Sequence, residues 1–365
     1  VGCGNNILYT YSHGFTLDQP LKIMSLTKWT TAAIIMMLKE EGKLAITDKV
    51  GKYIPSWNTN GKQNVTIEQL LSHTSGVPVQ TQYDDATQYT LEQAVDGIAT
   101  IALNFTPGTQ FEYGSSSYKV AARVAEVIEN KKWKTIFAER LANVSGMPNA
   151  HYRTDFPYTD ENPSPGYGLE VSANEYANYL KMMVNYGWYN GVSVIDSASI
   201  AIMEQQHNFD GGFNNYGLGV FRDSYSNGNI RTVWHPGASG TFTFLNREKK
   251  YYALVFAQNG DPASLASRDF KDLVDQQFGA DICGSTSSDP CQYSVTPTGP
   301  TSSVNTGSSV TLNSSCTGQC SGISYSWSGT GISGSNTSSS VTFNARSSAG
   351  TYTYTLTTSK SGCTN

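Results

Sequence analysis

Residues 22–30 read KIMSLTKWT and place Ser25 three residues before Lys28. In a helix, residues three apart share one face, so these two side chains can come within hydrogen-bond reach. A serine hydroxyl is a poor nucleophile until a base removes its proton, and a lysine can be that base if burial or a neighbouring cation lowers its pKa. The spacing therefore permits a nucleophile and its base. It equally permits a serine that caps a helix, and the same short tetrad recurs at Ser116 and Lys119.

Two longer stretches follow the first tetrad in the chain. Residues 105–118 read FTPGTQFEYGSSSY and contain Tyr113, and residues 233–241 read VWHPGASGT and contain His235. In a chain with 22 tyrosines, Tyr113 taken alone is more simply a core aromatic residue. Only the order of the three stretches along the chain gives these residues a shared interpretation.

The periodicity of apolar residues predicts the elements that position these side chains. Residues 26–41 are predicted to form a helix that is apolar on every face from Ala32 to Leu38, as is typical of a helix buried in a core. Further helices are predicted at residues 67–71, 117–129, 172–183 and 265–278, and strands at residues 7–11, 241–245 and 251–258. Strands at both ends with helices between them predict an α+β fold, in which helices flank an antiparallel sheet.

The composition changes sharply near Cys291. From there to the end the charged residues are Arg346 and Lys360 alone, so residues 1–290 contain 22 basic and 29 acidic residues. Apolar and polar residues alternate in short runs at 310–312, 323–327, 341–343 and 352–356, which predicts strands buried on one face. We therefore predict a larger domain over residues 1–283, a linker over residues 284–290 and a small all-β sandwich over residues 291–365. In this last segment GTYTY, residues 350–354, resembles the tyrosine corner of immunoglobulin-like domains.

Charge and cysteine content exclude several classes of function. The net charge is -5 and no block of like charge occurs, which argues against a nucleic-acid partner. The longest apolar run, residues 32–38, is far shorter than the ~18 residues that a membrane helix needs. Six cysteines without a Cys-x-x-Cys pair favour disulfides over a metal site. Disulfides in turn favour an exported protein, which lies in the periplasm or at the cell surface or is secreted. The predicted pairs are Cys3 with Cys283, Cys316 with Cys320, and Cys291 with Cys363, although the sequence alone allows other pairings.

With these motifs the chain resembles the serine β-lactamase and penicillin-binding protein family. The resemblance is to the branch of class C β-lactamases, soluble D-alanyl-D-alanine carboxypeptidases and related esterases, whose motifs are S-x-x-K, Y-x-N, and K-T-G or H-T-G. Matching stretches between the motifs are GKL at 42–44, VGKYIP at 50–55, LLSHTSG at 70–76, PG at 107–108 and SGMP at 145–148. The resemblance covers residues 7–278 and implies a β-lactamase/transpeptidase-like fold, with a helical lobe beside the sheet.

The resemblance also implies a catalytic role for each matched residue. Ser25 would be the acylated nucleophile and Lys28 its base, while Tyr113 would relay a proton to the leaving group. A phenol ordinarily has a pKa of about 10, so we expect Lys28 and His235 to lie close enough to lower the pKa of Tyr113. The backbone N–H groups of Ser25 and Ala238 would form the oxyanion hole.

Three further residues are implied to bind substrate, and two of them depart from the family's pattern. Gly237 would let the edge strand approach the substrate closely. Ser115 stands where Asn is usual, and its shorter hydroxyl would reach less far towards the acyl-side carbonyl. Pro236 stands where Thr is usual, which removes a hydroxyl and a backbone donor that help to hold a substrate carboxylate. These departures favour an esterase or peptidase-like activity over efficient β-lactam hydrolysis.

The function predicted from this resemblance is that of a serine hydrolase which cleaves an amide or ester through an acyl-enzyme on Ser25. It would act as an esterase, a D-Ala carboxypeptidase or a β-lactamase, without metal or organic cofactor, on a small molecule, peptide or ester for which cell-wall material is one source. The alternative is a catalytically weak or inactive binding or sensor protein of the same fold. His73 is expected to be structural. The tail is expected to be a surface or spacer module with carbohydrate or a cell surface as candidate ligands, by analogy of fold alone.

Overall fold

The chain folds as two compact units, residues 1–189 with 194–284 and residues 190–193 with 285–365. The computed structural model describes residues 1–155, 159–208, 215–224, 230–258, 263–277, 283, 293–300, 302–318, 320, 322–332 and 337–361.

The described part of the first unit contains eight α-helices. They are α1 Thr27–Glu40, α2 Ile67–Leu71, α3 Leu91–Thr100, α4 Ser116–Glu129, α5 Trp133–Phe137, α6 Ala173–Val184, α7 Ser197–Glu204 and α8 Ala263–Gln277. Single turns of 3₁₀ helix lie at Met24–Leu26, Val50–Lys52, Pro55–Trp57 and Lys62–Asn64, and a π turn over Ala138–Ala142 follows α5. Local sequence explains two of the helix starts. Thr66 and Thr90 begin α2 and α3 with capping boxes, in which the threonine hydroxyl accepts from the N–H of a glutamine three residues later, whose side chain bonds back.

Short strands lie along residues 2–255, which include the segment 190–193 of the second unit. They are β1 Gly2–Cys3, β2 Asn6–Ile7, β3 Leu21–Lys22, β4 His151–Tyr152, β5 Leu169–Val171, β6 Trp188–Tyr189, β7 Val192–Ser193, β8 Phe221–Ser224, β9 Ile230–Gly237, β10 Thr241–Asn246 and β11 Tyr251–Val255. Six of them form one sheet in the order β2-β1-β11-β10-β9-β8, and a smaller sheet has the order β3-β5-β4. The first and last thirds of the unit therefore meet in one sheet, as an α+β fold with antiparallel strands requires.

Helix α1 passes through the centre of the core. Every side chain from Thr27 to Leu38 is buried, and Lys28 is the one ionisable group in that run. The buried threonine hydroxyls donate to carbonyl oxygens, for example Thr30 Oγ1 to Thr27 at 2.9 Å and Thr31 Oγ1 to Pro165 at 2.7 Å. Buried polar groups with partners cost little, so the helix can be apolar all round and still carry hydroxyls.

The observed elements confirm most of the predicted ones. The predicted helices 26–41, 67–71, 117–129, 172–183 and 265–278 correspond to α1, α2, α4, α6 and α8 within two residues at each end that the structure describes. The predicted antiparallel neighbours 241–245 and 251–258 are β10 and β11, paired from Phe242 with Val255 to Asn246 with Tyr251. The strand predicted at residues 7–11 is wrong beyond Ile7, because residues 8–11 form no strand and lie exposed. Helices α3, α5 and α7 were not predicted.

In the second unit, five strands form two small sheets. They are β12 Tyr293–Thr298, β13 Ser309–Gly318, β14 Ile323–Gly329, β15 Ser340–Asn344 and β16 Tyr354–Lys360. The sheets have the orders β12-β13-β15 and β14-β16, and they share one apolar cluster around Trp327 and Phe343. The Tyr352 hydroxyl donates to the carbonyl of Ser348 at 2.8 Å, which is the type of contact that a tyrosine corner makes. The predicted strands are confirmed, except that the last begins at Tyr354 and not at Tyr352, while the immunoglobulin-like assignment stays a prediction.

Two predicted disulfides are present, Cys3 with Cys283 and Cys316 with Cys320. The third predicted pair, Cys291 with Cys363, and the predicted linker over residues 284–290 lie outside the described residues. No helix in the described part of the chain is both long and apolar enough to span a bilayer.

The central position of α1 makes its packing a test of the fold. We expect Ile34→Ala, which deletes a fully buried side chain, to lower the free energy of unfolding by about 2 to 4 kcal/mol, because the cavity cannot refill completely. Val127→Ala in α4 is the control, because Val127 is 39 % exposed and should change stability much less. Urea unfolding followed by tryptophan fluorescence measures both, and equal midpoints for the two variants would contradict the central position of Ile34.

Candidate active site

Ser25 lies on a tight turn between strand β3 and helix α1. The 3₁₀ turn Met24–Leu26 leads directly into α1, and Met24 has a φ of 47°, which is rare for a residue with a side chain. Neither the 3₁₀ turn nor α1 begins with a side-chain cap. Instead the Ser25 hydroxyl accepts a hydrogen bond of 3.2 Å from Lys28 Nζ. The helix-cap interpretation of Ser25 is therefore wrong, because the hydroxyl bonds to the lysine and does not accept from a backbone N–H at the start of the helix.

Lys28 is fully buried and is held by three neutral oxygens from three segments. Its Nζ donates to Ser25 Oγ at 3.2 Å, to Ser115 Oγ at 3.1 Å and to the carbonyl of Gly166 at 2.9 Å. Removal from water disfavours the ammonium and lowers the pKa of Lys28 to about 7, although the charge of Asp84 partly opposes this. Near neutral pH a large share of the side chain is therefore an unprotonated amine beside a serine hydroxyl.

Tyr113 completes the group around Lys28. Lys28 Nζ lies 4.7 Å from the centre of the Tyr113 ring, and the Ser25 hydroxyl is near enough to the phenol to affect its pKa. Burial raises the pKa of Tyr113 above its ordinary value, and the influence of Ser25 only partly offsets this. The expected lowering of that pKa is therefore wrong. Desolvation dominates, so Tyr113 is a phenol that can give a proton and is not a resting base.

Ser115 contacts Lys28 from the start of α4. Its hydroxyl accepts the 3.1 Å bond from Lys28 Nζ and makes no capping bond to the helix that it precedes. Gly166 packs against it so closely that a Cβ on the glycine would lie 3.0 Å from Ser115 Cβ. In this structure Ser115 is thus a hydrogen-bond acceptor for Lys28.

His235 lies at the edge of the cluster on strand β9. The ring is fully buried, and its centre is 6.3 Å from that of Tyr113. Nδ1 bonds the carbonyl of Pro236 at 2.7 Å, and Nε2 bonds the hydroxyl of Tyr216 at 3.4 Å. Because a carbonyl only accepts, Nδ1 carries the proton and Nε2 accepts from the tyrosine. Burial, with the charge of Lys28, lowers the pKa of His235 to about 3, so the imidazole is neutral.

The end of β9 lies against the turn that carries Ser25. Ser239 Oγ donates to the carbonyl of Lys22 at 2.7 Å, and Thr241 Oγ1 donates to that of Ile23 at 3.0 Å. A Cβ on Gly237 would lie only 2.3 Å from the Ile23 carbonyl oxygen, so this close approach needs a glycine. Ala238 directly follows β9 and is exposed.

Pro236 sits where β9 has lost its neighbour on one side. It pairs with Phe242 of β10, whereas the pairing with β8 ends at Trp234. Proline lacks an N–H and is tolerated at such an edge. No group of three or more metal-ligating side chains occurs among the described residues, and the cluster around Ser25 contains no carboxylate in contact with its hydroxyl.

Comparisons with known proteins agree with this geometry. Residues 2–277 match the family model of the beta-lactamases. The chain belongs to the beta-lactamase family. A presumed beta-lactamase of Bacteroides dorei DSM 17855 has a similar structure, with a TM-score of 0.64 and 28 % identity over 70 % of this chain and 83 % of that one. The fold predicted from the sequence is therefore confirmed.

Curated relatives share only part of their length with this beta-lactamase family member. Penicillin-binding protein 4 of Amycolatopsis lactamdurans is 26 % identical over 52 % of this chain and 58 % of its own length. Protein flp of Staphylococcus aureus is 27 % identical over 41 % of this chain and 31 % of its own length. The chain thus spans between about a third and three fifths of these relatives.

Several residues of the site were not identified from the sequence of this family member. The Gly166 carbonyl contacts Lys28 from a loop 138 residues away, and Tyr216 bonds His235. The centre of the His73 ring lies 4.5 Å from that of Tyr113, with the two ring planes tilted by 46°, and His73 Nδ1 accepts from the N–H of Gly114 at 3.3 Å. The LLSHTSG motif was a signal for His73, which the structure places beside Tyr113. Gly166 and Tyr216 belong to no motif that could have indicated them.

The contact of Gly237 with Ile23 leads to a prediction. Gly237→Ala should push β9 away from the Ser25 turn and slow the reaction of Ser25 with a fluorophosphonate on the order of tenfold or more, because misplacement of reacting groups is costly. Gly350→Ala in the tail is a control, since its nearest neighbour would lie 3.5 Å from the new Cβ. Labelling rates by mass spectrometry, with circular dichroism to verify folding, measure the effect. A folded Gly237→Ala protein that is labelled at the wild-type rate would contradict the contact.

Proposed function

We propose that this protein is a serine hydrolase that cleaves an ester or amide through an acyl-enzyme on Ser25. The observation that supports it most is the pairing of Ser25 Oγ with a fully buried lysine at 3.2 Å, whose pKa is lowered to about 7. A buried amine with a pKa near neutrality is matched to general base catalysis at physiological pH. Membership of the beta-lactamase family agrees with a hydrolase.

The contacts suggest how each proton would move. Lys28 takes the proton of Ser25 as Oγ attacks the acyl carbon, and the carbonyl electrons move onto the oxygen, where the N–H groups of Ser25 and Ala238 stabilise the charge. The intermediate then collapses and breaks the bond to the leaving group, which takes its proton from the Tyr113 phenol. The proton held by Lys28 restores the phenol. Water repeats the sequence on the ester of Ser25, releases the acid and regenerates the serine.

The pKa of Lys28 gives this mechanism a pH dependence. Since Lys28 must be neutral to accept a proton, kcat/KM for phenyl acetate should be low in acid and rise with pH through a midpoint near 7, which is the folded-state pKa of the base. Initial-rate assays from pH 5 to 9 measure the profile of kcat/KM against pH, after correction for spontaneous hydrolysis of the ester.

Two variants make that experiment specific to the proposed pair. Ser25→Ala should lose hydrolysis and the fluorophosphonate adduct, whereas Ser56→Ala, whose hydroxyl bonds Asp96 on the surface, should keep both. Wild-type protein that binds the fluorophosphonate or a penicillin without turning over any ester would favour the alternative of a binding or sensor protein. Hydrolysis that survives in Ser25→Ala would disprove the assignment of the nucleophile.

We infer further that the preferred substrates are esters or amides without a carboxylate on the leaving group. His235 is neutral above a pH of about 3 and donates its Nδ1 proton inward to Pro236, so it offers an incoming anion neither charge nor a free donor. Pro236 adds no N–H and no hydroxyl at the open edge of β9. Electrostatic and hydrogen-bond recognition of a carboxylate is therefore weak on this side of the site.

This inference can be tested with two matched esters. The kcat/KM for phenyl acetate should exceed that for 3-carboxyphenyl acetate by roughly tenfold, about the value of one missing charged hydrogen bond. Pro236→Thr restores the hydroxyl and the N–H and should raise kcat/KM for the carboxylate ester selectively, while Pro236→Ala restores the N–H alone and should raise it less. Equal preference for both esters in the wild type would contradict the inference.

We also propose the division of the chain that the sequence predicts. Residues 1–283 would be the hydrolase domain, and residues 291–365 an immunoglobulin-like module whose two small sheets share an apolar core. The two disulfides are typical of proteins that fold in an oxidising compartment, which supports export.

A further inference from the structure

The second Ser-x-x-Lys tetrad is buried, but its serine and lysine form hydrogen bonds with other segments of the chain and not with each other. Ser116 Oγ donates to Asp84 Oδ2 at 2.7 Å. Lys119 Nζ donates to Asn162 Oδ1 and to the carbonyl of Pro163, both at 2.6 Å. The tetrad therefore connects the first turn of α4 to two separate loops. One contains Asp84, whose charge acts on Lys28, and the other contains Gly166, whose carbonyl contacts Lys28.

Asp84 is a buried carboxylate in which one oxygen accepts several hydrogen bonds and the other accepts none from the described residues. Oδ2 accepts from the N–H and hydroxyl of Thr81 at 2.6 and 2.8 Å and from Ser116, whereas Oδ1 has no donor among the described residues. A negative charge in such a site is poorly screened and acts over a longer range than one at the surface. It favours the protonated forms of both Lys28 and Lys119.

The loop beyond Asn162 carries the second connection. Asn162 Nδ2 donates to the carbonyls of Tyr83 and Ala86, both at 3.0 Å, so it fastens this loop to the turn that contains Asp84. Four residues further along, the carbonyl of Gly166 accepts the 2.9 Å bond from Lys28. Lys119 thus anchors the loop only a few residues before the point at which it touches Lys28.

We propose that Asp84, Ser116 and Lys119 form a positioning network for Lys28, which holds the Gly166 carbonyl against the lysine and supplies it with a buried negative charge. The proposal rests on the proposed function, in which Lys28 is the base. The three residues act through Lys28, and the described contacts place none of them on Ser25. The second tetrad would then serve the first one.

Other ionisable groups also face Lys28 and must be considered. The rings of Tyr113 and Tyr118 lie 4.7 and 5.6 Å from Nζ, and His73 and His235 lie close enough for the charge of Lys28 to lower their pKa values. All four are neutral near pH 7, because burial raises the pKa of both tyrosines and lowers that of both histidines. Asp84 is therefore the group whose removal should change the titration of Lys28 most.

The decisive variant is Asp84→Asn, which removes the charge and retains an oxygen that can accept from Ser116 and Thr81. Loss of a negative charge disfavours the ammonium of Lys28, so the midpoint of the pH profile of kcat/KM should move to lower pH, by roughly half a unit or more. A residue with only a structural role would lower kcat/KM at every pH and leave the midpoint in place. An unchanged midpoint in a folded Asp84→Asn protein would overturn the proposal.

Lys119→Met supplies a change in the opposite direction. It removes a positive charge near Asp84 and releases the loop before Gly166, so the midpoint should move to higher pH and kcat/KM should fall on the order of tenfold. Lys62→Met is the matched control, because Lys62 is also buried and donates to a backbone carbonyl, that of Ile101, but unlike Lys119 it is not an electrostatic partner of Asp84. It should keep the wild-type midpoint. Shifts of Asp84→Asn and Lys119→Met in the same direction would also contradict the network.

A readout without substrate separates this proposal from the proposed function. In protein labelled with ¹³C at lysine Cε, NMR titration follows Lys28 directly, with Lys28→Met to assign its signal. The wild-type signal should titrate near pH 7, and the two variants should shift it in opposite directions. If these shifts occur but no ester is hydrolysed, the function fails and the network stands. If wild type hydrolyses esters and the signal does not move in Asp84→Asn, the network fails and the function stands.

Discussion

The burial of one lysine amine governs the arrangement of this candidate active site. Lys28 lies in a run of side chains that are otherwise uncharged and shielded from water, and an ammonium there is costly unless every proton has an acceptor. Its three acceptors come from the Ser25 turn, the start of α4 and the loop at Gly166. Since each segment must reach the same nitrogen, the position of this single atom fixes the adjoining Ser25 turn and two remote pieces of chain relative to helix α1.

The same burial explains why the expected chemistry of Tyr113 was wrong in one respect. The sequence suggested that a nearby cation would lower the pKa of the phenol, but a lysine whose own pKa falls to about 7 is only partly a cation. Desolvation then acts on Tyr113 without a strong opposing charge and raises its pKa. A lysine that is unprotonated, and can therefore accept a proton, cannot at the same time be the positive charge that ionises its neighbour.

Local patterns predicted those elements whose signals are local. The all-round apolar run of α1 and the short runs rich in apolar residues at β10 and β11 each reflect burial that a short window reveals. The order of Ser25, Tyr113 and His235 located the site for the same reason, since each belongs to a motif. Gly166 and Asp84 could not be predicted, because a carbonyl and a carboxylate take their roles from partners more than 50 residues away in the chain.

The two Ser-x-x-Lys tetrads show why spacing alone does not define a catalytic pair. Both occupy the first turns of a buried helix, so helical geometry offers each serine the same lysine. In the first tetrad no carboxylate contacts the serine, and the lysine amine bonds its hydroxyl. In the second, Asp84 takes the hydroxyl of Ser116, and two oxygens of the 162–163 segment take the amine of Lys119. What separates a candidate nucleophilic serine from a structural one is therefore the set of acceptors that compete for the serine hydroxyl and the lysine amine. Only the tertiary fold supplies these acceptors.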